Sequence, residues 1–416
     1  MNQTGTRAKK RVNIMLLMAV LGPGLITANA GNDAGGIFSY AAVGASFGYH
    51  MIWGLLIITV SLAVVQEINA RLAIVTGKGL ASLIRENFGV KLTFLAMLVL
   101  VIANFGCSLA DFAGIAQSLQ LFGISKYISV PVFALAIWLL VSKGSSRYVE
   151  RIFLAFTLVF FSYIISCFIV KPDWGTVLTQ SVTPTLKLNQ SFLLAFIGMI
   201  GTTITPYMQF YLQSSIVDKR MKLSHLRYEQ ADAYVGAVFG NAIAFFIIVC
   251  TAATLFKSGI PVTSAQQAAN ALTPLAGHFA TVLFGVGLLG ASVLACAVIP
   301  LSTAYAVCEA FGFESGIDNK PGEAPAFYSI YTLMIIIGGI VVLMPGLSLV
   351  SLTLFTQQLA GMLCPVILIF MVLLVNNKRI MGPYINSKAQ NVLSLFTVAF
   401  ILSMTLLLFV ILPLLY

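Results

Sequence analysis

Apolar residues in this chain run in long unbroken blocks rather than recurring every third or fourth position, as they do in a helix with one wet face. Ile152–Val170 and Val392–Tyr416 are two such blocks. Each is long enough to cross a hydrocarbon layer of ~30 Å at about 1.5 Å per residue. Counting blocks predicts eleven spans, at about 12–46, 49–67, 91–121, 128–143, 148–170, 190–217, 229–256, 278–311, 326–344, 347–375 and 390–414. The predicted fold is an all-α membrane bundle. No polar stretch exceeds about two dozen residues, so residues 1–416 read as a single polytopic transmembrane domain.

Two blocks are interrupted. The first contains Gly22-Pro23-Gly24 and then Gly31-Asn32-Asp33-Ala34-Gly35-Gly36. The sixth contains Gly198, then Gly201-Thr202-Thr203-Ile204-Thr205-Pro206-Tyr207. They are equivalent members of two five-span halves, about 12–170 and 190–375, with an extra helix at about 390–414. Paired interruptions in corresponding spans of an inverted repeat point to a binding site near the bilayer midplane. Unwound backbone is tolerated at that depth where it lines a cavity, and there it can offer carbonyls to an ion.

Composition and charge narrow the picture. The chain is 59% hydrophobic and 9% charged, against about 25% charged in soluble domains, and a soluble core could not absorb that much apolar surface. A net charge of +10 suggests nucleic acid, but the positions of the charges exclude it. With the N-terminus cytoplasmic, 19 of the 23 Lys and Arg fall on the inner side, leaving Lys126, Lys171, Lys187 and Lys257 outside. That asymmetry follows the positive-inside rule. It predicts a multi-pass protein of the cell's inner (plasma) membrane with its C-terminus outside. The six cysteines lie within apolar blocks and read as small buried hydrophobes. Arg7–Arg11 and Ala28-Asn29-Ala30 imitate a signal peptide, but cleavage would discard half of the first interrupted block, so it reads as a retained span.

Asp33 is the central chemical feature, some twenty residues into the first block with no Lys or Arg near it in sequence. A charge at that depth costs at least ~2.5 kcal/mol, so it implies function unless another span pairs with it. A lone carboxylate beside free carbonyls suits a cation. The sixth-block break adds Thr205, Tyr207, Gln209 and the carbonyls of Thr202 and Ile204. Pro206 leaves one more carbonyl unbonded a turn earlier. Gln357 and Gln358 could contribute an amide oxygen or bond between helices. Asp111 could relay protons or pair with a neighbour. Gln66-Glu67 and Glu309 lie near helix ends, where solvation or capping competes with a coupling role for Glu67. Asn104 and Asn241 suit helix packing. Three histidines near interfaces make no metal cage, and no nucleotide-binding loop is present. The sequence therefore predicts no enzyme, no cofactor and no obligatory protein partner.

These stretches resemble the natural resistance-associated macrophage protein (Nramp) family of divalent metal transporters. The likeness is carried by Gly22-Pro23-Gly24 with Asp33, Phe47-Gly48-Tyr49 and Arg71–Lys78. It continues through Lys171-Pro172-Asp173-Trp174, Ala271-Leu272-Thr273-Pro274-Leu275, and Gln358-Leu359 with Pro365. The resemblance implies a LeuT-type fold of two inverted five-helix repeats plus an eleventh helix, with helices 1 and 6 broken around the site. Read together with the breaks, it gives an expected metal site of Asp33, Gly36, Thr202, Thr205 and Gln358; Asp111 and Tyr207 stand at family proton-transfer positions, and Glu67 joins that coupling path from its own place near a helix end. The chain departs from the family pattern in four places, one of them Ser108 at a family acidic position three residues before Asp111. Where the family has Asp-Pro-Gly-Asn, it has Asp33-Ala34-Gly35-Gly36; where the family has Met then Pro-His, it has Thr205-Pro206-Tyr207; and the ninth span lacks the family's arginine. An all-oxygen set suits hard ions. A glycine at 36 is expected to widen the cavity, leaving water for Mg²⁺, which dehydrates reluctantly.

The leading expectation is uptake of a divalent cation by alternating access, Mn²⁺ or Fe²⁺ by family and Mg²⁺ by donor type. The alternative keeps the fold and carries a small organic solute such as an amino acid or amine. A non-transporting scaffold ranks last, because it leaves the cost of burying Asp33 unexplained.

Overall fold

The computed structural model describes residues 30–143, 161–316 and 319–411. Gly22-Pro23-Gly24, the rest of 12–29, the basic cluster Arg7–Arg11 and the start of the predicted fifth span (148–160) lie outside the described residues.

The chain is helical throughout these segments. In order, the α-helices are α1 (Ala34–Phe47), α2 (Ile52–Thr76), α3 (Leu80–Gln120), α4 (Lys126–Lys143), α5 (Phe161–Val170) and α6 (Trp174–Val182). Then come α7 (Gln190–Thr203), α8 (Pro206–Asp218), α9 (Leu226–Thr251), α10 (Ala265–Asn270) and α11 (Thr273–Ala276). The last are α12 (Ala280–Phe311), α13 (Pro325–Leu343), α14 (Leu349–Val375), α15 (Lys378–Met381) and α16 (Lys388–Leu406). Eight helical stretches among the described residues are long and apolar enough to cross a membrane, and α1, α4 and α5 are shorter apolar helices. Outward-facing Leu95, Leu98, Ile102, Ile336 and Ile340 are exposed, an apolar belt that lipid rather than water would cover.

The non-helical backbone expected at both breaks is present among the described residues. Asp33 has extended backbone (φ −67°, ψ −171°) and caps α1 after a 3-10 turn at Ala30–Asn32. Ile204 (φ −119°, ψ 66°) and Thr205 (φ −76°, ψ 142°) separate α7 from α8, with Pro206 opening the second half-helix, where its missing N–H costs nothing.

Two span boundaries differ from expectation. The second span continues nine residues beyond 67 because its charges pair. Glu67 and Arg71, one turn apart, form a buried ion pair at 3.0 Å. Arg71 also donates to the Tyr384 carbonyl and the Asn386 amide oxygen. Glu67 is therefore not a solvated helix end. The third span begins at Leu80 rather than 91 and bends at Gly89, whose φ of 74° and ψ of 179° lie outside the helical range. Only glycine enters that conformation readily. Glu309 acts as a cap, accepting from the Ser82 N–H at the start of α3. Asn104 bonds Thr303 and Asn241 bonds Thr59, the packing roles expected of them.

α3 packs along both α12 and α14, and α9 lies against α1 and α2. α7 and α14 cross backbone to backbone. A β-carbon on Gly201 would lie 2.0 Å from the Gln357 carbonyl, and one on Gly361 would lie 2.3 Å from the Ile197 carbonyl. Such close approach is how membrane helices associate, with dispersion replacing the hydrophobic effect. This crossing brings α14 over both breaks.

Candidate functional site

The 3-10 turn and α1 meet the end of α7 directly. Thr202 Oγ1 donates to the Gly31 carbonyl at 3.3 Å, and Asn32 Nδ2 donates to the Gly240 carbonyl of α9 at 3.1 Å. Tyr40 of α1 bonds Thr203 of α7 at 2.8 Å, with both side chains buried.

Two carboxylates share the N-terminus of α1. Asp33 Oδ1 accepts from Gly36 N at 2.8 Å, and Asp111 Oδ1, from α3, accepts from Ala34 N at 3.4 Å. The helix dipole and the free N–H groups of that first turn favour negative charge there. Asp33 is 4% exposed and Asp111 fully buried, and Asp111 Oδ2 has no hydrogen-bond partner among the described residues. No Lys or Arg bonds either group: the two ion pairs among the described residues are Arg71–Glu67 and Lys78–Glu86. The first turn of α1 thus gathers two carboxyl groups at one buried helix start with no basic residue beside them among the described residues.

At the second break, Thr205 Oγ1 donates to the Thr202 carbonyl at 3.2 Å. The Ile204 carbonyl accepts from the Cys364 thiol, and the Thr205 carbonyl accepts from Gln209 Nε2 at 3.4 Å. Tyr207 is fully buried, and its carbonyl accepts from Ser302 at 3.5 Å. Among the described residues no three His, Cys, Asp or Glu gather in one place. The donors around the breaks are mainly carboxylate, carbonyl and amide oxygens.

Three placements correct the sequence expectations. The amide that reaches the first break belongs to Gln357, not Gln358. A β-carbon on Gly35 would lie 2.0 Å from Gln357 Nε2, whereas Gln358 lies against Gly198 of α7. Neighbouring helical residues point about 100° apart, so only one of the two can face the site. Gln357 is fully buried and neither amide atom has a partner of ordinary hydrogen-bond geometry. The glycine at 36 does not open space. A β-carbon there would lie 2.0 Å from the Gly31 carbonyl, because the turn before Asp33 folds back onto it. Glu67 belongs elsewhere: besides Arg71 it accepts from Gln230 at 2.6 Å, in a cluster at the Tyr384–Asn386 end of α2.

The sequence also left Met208 and Cys107 unremarked as neighbours of the site. The terminal methyl of Met208 would be 3.0 Å from a β-carbon on Gly31, and the Cys107 thiol lies beside Gln357. Only helix phase reveals either one.

Residues 24–411 match the family model described as Natural resistance-associated macrophage protein-like. The "Divalent metal cation transporter MntH" of Bacillus subtilis (strain 168) is 27% identical over 393 residues, covering 91% of this chain and 88% of that protein. The crystal structure of an Eremococcus coleocola manganese transporter superposes with a TM-score of 0.78 at 18% identity, covering 94% of this chain and 86% of that one. MhsT, solved in complex with L-phenylalanine, superposes with a TM-score of 0.61 at 16% identity, covering 93% and 98%. The architecture is therefore the LeuT-type fold.

Proposed function

This chain belongs to the Nramp family, and from that premise we propose that it carries a divalent metal cation across the membrane through a site between its two helix breaks. One observation carries the proposal: Asp33 and Asp111 share one buried helix start, with the buried Gln357 amide directly over it. In this reading Asp33 is the anionic ligand. The Thr202 carbonyl, Thr205 and the Gln357 oxygen complete the shell, and Gly36 holds the Asp33 carboxylate in place. Asp111, beside it, takes up or releases a proton as the ion's charge arrives and leaves, with Tyr207 buried close by.

Manganese is the cargo named for a structural relative. Carboxylate, carbonyl and water donors suit Mn²⁺ as well as Mg²⁺. We assign Mn²⁺ first and Mg²⁺ second. The placement is the plasma membrane, N-terminus cytoplasmic and C-terminus outside, with repeats at about 12–170 and 190–375 and the extra helix at 390–414.

An organic solute fits less well. In that mode a helix N-terminus would hold the solute's carboxylate. Here the Ala34 and Gly36 N–H groups are already taken by Asp111 and Asp33.

The test is uptake of Mn²⁺, Fe²⁺, Mg²⁺ and Ca²⁺ into proteoliposomes, wild type against Asp33→Ala. Uptake of at least one ion that the variant loses supports the proposal. Uptake of none, or an unimpaired variant, ends it.

A further inference from the structure

The lipid-facing side of the bundle carries an apolar groove, far from the two breaks in the fold, between α4 and α13. Its volume is about 480 Å³. Lys126, Val130, Ala134 and Trp138 follow one another at four-residue intervals down α4, and the last three line the groove. Thr332, Ile336, Gly339 and Leu343 line it from α13. Val130 and Gly339 are buried and make the floor, while Leu135, Ile336 and Ile340, each at least half exposed, make the rims. The hollow exists because residue 339 has no side chain. A β-carbon there would touch only Val130, at 3.6 Å.

The two ends of the groove differ in chemistry. At one end Lys126 Nζ donates to the Val342 and Met344 carbonyls at 2.9 and 2.8 Å, which fixes the ammonium beside Leu343 at the C-terminus of α13. Among the described residues no carboxylate pairs with it, the ion pairs there being Arg71–Glu67 and Lys78–Glu86. Tyr127 is exposed and lies 5.6 Å from the same ammonium, an aromatic and a cation together as at a membrane–water interface. At the other end Trp138 Nε1 donates to Thr332 Oγ1 at 2.9 Å, tying the helices together and closing the groove. Every other lining side chain is hydrocarbon.

Length, polarity and charge together select one occupant. From Lys126 to Trp138 the helix rises about 18 Å, close to the thickness of a single leaflet, about half of a ~30 Å hydrocarbon layer. A helix from a second copy or another protein would cross both leaflets and run past the Trp138–Thr332 closure. A polar solute would find only hydrocarbon along the walls. An acyl chain fits the walls, and the fixed ammonium at the mouth suits a phosphate, which lysine binds as a point charge. Lys126 also lines a more polar cavity of about 580 Å³ with Gln117, Gln120 and Ser348, which gives a headgroup room.

We propose that the α4–α13 groove binds an acidic glycerophospholipid, with its phosphate at Lys126 and one acyl chain running down to Trp138. Lipid binding here requires only a membrane-spanning chain, whatever solute that chain carries.

The test uses the full-length protein in bilayers of phosphatidylcholine mixed with a phospholipid whose dibrominated chains quench tryptophan on contact. The chain has three tryptophans, and the difference between wild type and Trp138→Phe isolates Trp138. Dibrominated phosphatidylglycerol is expected to half-quench Trp138 at a mole fraction at least threefold below that needed by dibrominated phosphatidylcholine. Lys126→Gln is expected to erase this preference. Gly339→Leu and Ala134→Phe, which fill the groove from opposite walls, are expected to lower Trp138 quenching by both lipids at least twofold. A wild-type preference under threefold, or one that survives Lys126→Gln, overturns the site. A second measurement leaves Trp138 intact. By native mass spectrometry from detergent, wild type is expected to retain one phosphatidylglycerol more than Lys126→Gln or Gly339→Leu does, and equal retention in all three overturns the site.

Discussion

The Gln357 amide lies directly over Gly35, with Nε2 2.0 Å from where a β-carbon would stand. The neighbouring Gly36 is as crowded, but by the Gly31 backbone carbonyl. This contrast gives the first prediction. Gly35→Ala pushes aside only the flexible end of Gln357, at about 1 kcal/mol, whereas Gly36→Ala forces backbone apart and loses about 3 kcal/mol. Gly35→Ala is expected to lose most Mn²⁺-induced stabilisation while folding normally. Thermal unfolding with and without Mn²⁺ separates the two, and equal behaviour would refute the distinction.

Asp33 combines a helix cap with a charge, and substitution can divide these roles. Asp33→Asn retains an oxygen for the Gly36 N–H, so apo stability should stay near wild type, while Asp33→Ala should lose about 1 kcal/mol of capping. Both variants should abolish metal-dependent stabilisation. Retention of metal response in Asp33→Asn would show that the charge is dispensable.

The Glu67–Arg71 pair is buried, with Arg71 4% exposed and anchored to Tyr384 and Asn386. Arg71→Met leaves a buried carboxylate unpaired and should destabilise by about 3–5 kcal/mol. Adding Glu67→Gln should recover much of that loss. Denaturation in detergent, read as a double-mutant cycle, checks it; additive losses would mean that the two charges do not interact.

Asp173 caps α6 by accepting from Thr176 and Gly175. Chiefly the Thr176 hydroxyl, and with it the backbone N–H groups, holds its carboxyl below the usual aspartate range. A lowered carboxylate contributes stability above its unfolded value, about 4, and loses it as pH falls through the folded value. Amide exchange in the first turn of α6 should therefore quicken, relative to a reference peptide, as pH drops below about 4. Asp173→Asn should flatten that dependence, and an unchanged profile would assign the protection elsewhere.

The legibility of this protein follows the range of each interaction. The breaks at Asp33 and Ile204–Pro206 were readable because glycine, proline and a lone carboxylate act on their own few residues. The length of α2 was not, because Arg71 is satisfied by Tyr384 and Asn386, more than 300 residues away in sequence. Nor could sequence choose between Gln357 and Gln358. That choice depends on the rotation of α14, set where Gly201 and Gly361 let it touch α7.

Sequence by itself determined that the chain is a bundle of membrane helices, that it unwinds at Ile204–Pro206, and that Asp33 lies in an apolar block with no basic residue near it in sequence. Hydrocarbon imposes its demands residue by residue, whichever partner lies alongside. Tertiary structure decided that Asp111 joins Asp33 on one helix start, that Gln357 covers Gly35, and that Gly36 is filled rather than open. Each is a contact between helices distant in sequence, and its existence depends on crossing angle and phase, which no single span encodes.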